Sequence, residues 1–181
     1  MGDLVPLVRS FVILDSDGDR LIAKYYDGRD KASQLSYEAM LHKKTRSVHA
    51  KAEMEVMLME SEVVVFRSGG DCKLYVSGAV DENELILVSI LDTIYETSAA
   101  LLRGQVETST IIDNLELILL TIDEALDNGH IMELDAASVM SRVLMRSSDA
   151  NNAQLGDLSI SQALGMATAQ FLKSISQRDL A

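Results

Sequence analysis

Apolar and polar positions change period along the chain. Leu7–Leu14 is an almost unbroken apolar run. An Asp-rich stretch centred on Asp17-Gly18 follows, and then Leu21, Ala23 and Tyr25 alternate with Ile22, Lys24 and Tyr26. Two such runs around an Asp-Gly turn predict a β-hairpin. Residues 31–44 contain no Gly or Pro and end in His42, Lys43 and Lys44. Cations favour a helix C-terminus, so a helix is predicted here, with a thin apolar face of Leu35, Ala39, Met40 and Leu41. Residues 53–60 place Met54, Val56 and Leu58 on one side of a strand. Residues 62–67 are a fuller apolar run, 68–71 a turn, and 73–80 a third strand of this meander.

The period then becomes helical. Leu87, Ile90, Leu91, Ile94, Ser98, Leu101 and Leu102 share one face over 85–102, and Leu85, Ile86 and Val88 widen the stripe. Such a stripe suits a helix packed on a sheet, with Leu87, Leu91 and Ile94 in the core. A second helical stripe runs from Ile111 to Leu126. Thr108–Thr110 offer N-cap hydroxyls for it and Asn128-Gly129 a left-handed C-cap. Residues 130–134 read as extended, and 135–145 as a short helix with Asp135 as its N-cap.

The order ββαβββαα, then a short helix, predicts an α+β domain: a five-stranded antiparallel sheet flanked by helices. The domain is expected over 1–146. Residues 147–181 are expected to be a polar linker and tail, with a possible amphipathic helix at 159–176 carrying Ile160, Leu164, Ala167, Phe171 and Ile175.

The chain has 181 residues and a formal net charge of −12. That disfavours nucleic acid or an anionic bilayer as a partner bound through global charge. The charge is uneven. Residues 81–181 hold 16 of the 28 acidic groups and 5 of the 16 basic ones, whereas 29–51 form a local basic patch. Cys72 is the single cysteine, so no intrachain disulfide is possible. No secretory leader or membrane span is expected, and Pro6 spoils the myristoylation pattern that Met1-Gly2 begins.

Candidate chemistry is sparse. Asp15, Asp17 and Asp19 match the first places of a calcium loop, but Arg20 stands where its glycine belongs and Tyr26 where its glutamate belongs. Turn aspartates that accept backbone N–H groups explain them better. His42, His49 and His130 lack metal-ligand spacing, Gly69-Gly70 lacks the remainder of a phosphate loop, and no nucleophile elbow is present. No catalytic, cofactor or metal residue is therefore expected. Nine methionines remain, and Met54, Met57 and Met59 on one strand suit either an irregular core or an adaptable binding surface. The exposed side of 53–60, with Met57 and Met59, is taken as part of a partner contact.

Phe11–Asp27 closely resembles the opening hairpin of the zeta subunits of coatomer, the COPI vesicle coat. Val63–Ser68, Leu74–Gly78, Glu82–Leu85, Asn114–Gly129 and Ile131–Glu133 follow in that family's order and spacing. The resemblance covers roughly residues 7–146. It implies a longin-like fold shared with the small chains of clathrin adaptors, and no catalytic role. It further implies binding to the trunk of a gamma-type large subunit within a cytosolic heptamer. An Arf-type GTPase would recruit that assembly to Golgi membranes for retrograde and intra-Golgi transport. A sigma-type clathrin-adaptor chain is the alternative. A longin-domain SNARE fits less well, because the segment after 146 is too short and polar for a heptad region and an anchor.

Overall fold

The computed structural model describes residues 7–48 and 54–152, with side chains placed through Ser147. The predicted hairpin is β1 (Val8–Asp15) and β2 (Arg20–Tyr25). The Asp15 carboxylate closes its turn by accepting the backbone N–H groups of Asp17 and Asp19 at 2.9 and 2.8 Å. Helix α1 (Lys31–Thr45) follows, and the meander is β3 (Glu55–Met59), β4 (Glu62–Ser68) and β5 (Cys72–Ala79). All five strands join one antiparallel sheet in the order β2-β1-β5-β4-β3. The first and last strands of the two groups thus meet at the centre.

Strand alternation divides the core between the two faces of this sheet. On one, Val12, Leu14, Val64, Phe66 and Tyr75 pack with Tyr37 and Leu41 of α1. On the other, Phe11, Ile13, Val63, Val65, Leu74 and Val76 meet the remaining helices: α2 (Glu84–Leu101), α3 (Thr108–Asp113), α4 (Leu115–Ala125) and α5 (Ala136–Asn152). Leu87, Leu91 and Ile94 are buried at the centre of that layer, as their spacing predicts.

The structure corrects several local expectations. The helical stripe over 111–126 belongs to two helices. The chain breaks at Asn114, whose side-chain amide donates to the Thr110 carbonyl at 2.9 Å, and Glu107 and Thr110 form a reciprocal cap for α3. Asn128-Gly129 is not a C-cap. Both residues have positive φ, 47° and 80°, and they form the turn of a small hairpin of β6 (Leu126–Asp127) and β7 (His130–Ile131). Glycine is required at 129 because a Cβ there would lie 2.4 Å from the Val8 carbonyl oxygen.

Helix α1 buries Tyr37, Glu38, Leu41 and Thr45, while Leu35, expected on its inner face, is exposed. Helix α5 runs to Asn152, across the boundary expected at 146. The amphipathic stretch 159–176 lies outside the described residues.

Candidate partner-binding surface

Four of the groups that could carry chemistry, Cys72, Glu38, Tyr25 and Arg29, are committed to the fold. Cys72 is buried with its thiol against the Val106 carbonyl at 3.7 Å, and burial pushes its pKa up to about 12. Such a thiol is no nucleophile near neutral pH. Glu38 is a buried carboxylate, but it accepts from Arg20 Nε at 3.0 Å and from the Tyr25 hydroxyl at 2.7 Å, tying α1 to β2. Burial and the bond to Glu38 raise the pKa of Tyr25 well above the usual phenol range. Arg29 pairs with Asp27 and Glu62, and its guanidinium stacks on the Tyr37 ring at 4.3 Å. This cluster borders an open hollow of about 390 Å³ between α1 and the β3–β4 turn. Among the described residues no group of three His, Cys, Asp or Glu side chains is placed to hold a metal ion, and no helix is long and apolar enough to cross a membrane. His49 lies outside the described residues.

What remains is surface. The two faces of the molecule differ in charge. The outward side of α1 carries Lys31, Lys43, Lys44 and, just beyond its end, Arg46. Lys73 donates to the carbonyls of Thr45 and Val48, so the end of α1 is already satisfied and its own cations are free to face outward. Opposite, the segment that forms α2–α5 and their connections carries 12 acidic groups against only 3 basic ones, Arg103, Arg142 and Arg146. Its Glu124 is 7 % exposed and takes Arg146 at 2.7 Å and Arg142 at 3.7 Å, which latches α5 onto α4.

Strand β3 alternates between these two faces. Met59 is 1 % exposed and Met57 half-buried, and both pack on the α1 side, so the sequence expectation that they form an exposed side is corrected. The apolar side chains that β3 does expose are Val56 at 50 % and Leu58 at 62 %. They pair across the ladder with Val65 and Val63, which puts them on the α2 side of the sheet. Alternation alone separates 54, 56 and 58 from 57 and 59. Which set is covered depends on where the helices lie, and that has no signature in the strand itself.

The profile of the clathrin adaptor complex small chain family matches residues 7–150. Coatomer subunit zeta-3 of Arabidopsis thaliana is 37 % identical over 176 residues, covering 96 % of this chain and 97 % of its own length. The chain belongs to the adaptor small-chain family, among the coatomer zeta subunits. Coatomer subunit zeta-1 of Homo sapiens is 35 % identical over 170 residues, covering 93 % of this chain and 92 % of the human one. The fold also recurs in a chain of a homology model of the full-length AP-3 complex. The TM-score is 0.64 at 12 % identity, covering 83 % of this chain and 100 % of that one. The zeta relatives match beyond residue 150, where the family profile stops, so part of 151–181 is shared with zeta subunits.

Proposed function

We propose that this chain is the non-catalytic small subunit of a COPI-type coat, held by the trunk of a gamma-type large subunit. The observation that carries the reading is similarity to coatomer zeta subunits along nearly the whole chain. Two features of the molecule support it. Its buried Cys72 thiol and Glu38 carboxylate are occupied in holding the fold, and Val56, Leu58 and Leu85 are apolar side chains exposed on strand and helix surfaces. In this reading the assembly works on the cytosolic face of Golgi membranes, recruited by an Arf-type GTPase. Retrograde and intra-Golgi carriers are its product. The small subunit contributes surface, not chemistry.

Co-expression with the trunk of a gamma-type large subunit, followed by size-exclusion chromatography, tests the proposal. A 1:1 complex stable at micromolar concentration is expected. Separate elution of two folded chains would refute it. An obligate contact of this kind buries on the order of 2,000 Å² or more and is apolar at its centre. Acidic substitution at Met57 bears on the contact only if that side of β3 takes part. At Met59 the same change strikes the core.

A further inference from the structure

An α-helix is about 10 Å across and strands lie about 4.8 Å apart, so one helix covers about two strands. In this molecule α2 packs over β4 and β5, α3 lies against β2, and Asp123 of α4 pairs with Lys24 of β2. Five strands leave one over, and it is β3. Among the described residues no helix lies over its side chains on that face, Val56 and Leu58.

The flank of α2 that faces this strip is also incompletely covered. Arg67 of β4 reaches Asp92 at 2.7 Å and lies 3.7 Å from the centre of the Tyr95 ring, which identifies the β3-side flank of α2. Val88 and Leu85 continue that flank toward the helix N-terminus; Val88 is half-buried and Leu85 is 72 % exposed. With β3 as floor and this flank of α2 as wall, the strip forms a shallow apolar groove along the side of α2 that is uncovered among the described residues.

One end of the groove is strongly charged. The β3–β4 turn brings Glu60 there, and the β5–α2 connection brings Asp81, Glu82 and Glu84. Glu60, Asp81 and Glu84 are exposed and Glu82 is half-buried. The register places these turns together, since Met59 pairs with Glu62 and Glu62 with Ala79. None of the four takes part in an ion pair among the described residues. At the other end Arg67 and Asp92 neutralise one another.

We infer that this groove seats a helix of the large subunit. That helix would carry an aliphatic stripe at i, i+3, i+4 and i+7 against Val56, Leu58 and Leu85, and Lys or Arg at the end lying over Glu60, Asp81, Glu82 and Glu84. The inference rests on the coat-subunit reading and names the partner surface within it. The incoming helix extends the α2 layer over the fifth strand and desolvates Leu58 and Leu85. Its basic end neutralises four carboxylates that otherwise repel one another.

The test uses the full chain with the gamma-type trunk. Leu58→Glu and Val56→Glu are compared with Leu35→Glu on the outer side of α1, and a fourth variant reverses Glu60, Asp81, Glu82 and Glu84 to Lys. Circular dichroism checks the folding of each, and hydrogen exchange of the wild-type complex supplies a reading free of substitutions. The groove variants should weaken binding by at least about tenfold, as central interface positions do. Leu35→Glu should stay within about twofold. The charge reversal should weaken binding and flatten its salt dependence. Amides of β3 and of the first turns of α2 should gain protection in the complex. If wild type binds, while the groove variants bind equally well and β3 gains no protection, the groove is refuted and the coat reading survives. If wild type does not bind, the coat reading falls and takes the groove with it.

Discussion

Burial at single positions separates side chains that look equivalent in sequence. Leu91 is fully buried where α2 crosses the sheet, so Leu91→Ala should cost about 2–5 kcal/mol by urea denaturation. Met59 and Leu58 are neighbours on one strand with opposite fates. Met59→Glu puts a charge into the core beneath α1 and should cost about 3 kcal/mol or more, whereas Leu58→Glu should leave the melting temperature within a few degrees of wild type. Comparing the two melting curves checks the register of β3 directly, since a slip by one residue would exchange the results. The buried thiol of Cys72 should resist iodoacetamide in the folded chain and react once the chain is unfolded in urea.

Elements here are held at their ends by carboxylates whose pKa values are lowered by hydrogen bonds. Asp135 caps α5 by accepting the Ser138 N–H at 2.9 Å and its hydroxyl at 2.6 Å. Asp71 accepts the Thr108 N–H at the start of α3, and Glu133 accepts those of Leu134 and Asp135. A carboxyl held below its unfolded value stabilises the fold above about pH 4 and loses that contribution as pH falls through the folded value. Asp135→Ala should therefore lower the melting temperature at pH 7, and the gap to wild type should narrow below about pH 4. Replacing Gly129 by Ala tests another end. Positive φ and the approach to Val8 O together should cost about 1 kcal/mol or more and loosen the β1 contact, where the Val8 N–H donates to Gly129 O at 2.8 Å.

For the whole molecule, α5 ties the end of the helical layer to α4. Helix α5 continues through 146–147, with its Arg146 paired to buried Glu124. A chain ending at 140 should therefore melt lower than one ending at 152, measured by calorimetry, because it loses Val143 and both arginines of the latch. The opposed charges of its two faces also bear on assembly. They favour an oriented approach to a large partner at low ionic strength, a property of the folded molecule that the net charge of −12 conceals.

The sequence by itself determined the secondary elements with strong periodicity, the α+β class and the family. An apolar alternation bounded by Asp-Gly, or a stripe such as Leu87, Leu91 and Ile94, is a local cause with a local effect, and the family resemblance rests on the order of such segments. The break at Asn114 escaped because α3 and α4 stay nearly in phase, so one stripe serves both helices. Asn128-Gly129 escaped because positive φ suits a helix end and a tight hairpin equally well. Glu38 sits inward where a charge is unexpected, and only Arg20 and Tyr25, brought from β2, make that tolerable. The candidate surface was legible only as a strand. Alternation distinguished Val56 and Leu58 from Met57 and Met59, but which set meets solvent was decided by tertiary packing: α1 covers one side of β3, and α2 stops at β4 on the other. Exposure is set by distant segments of the chain, and no local pattern records it.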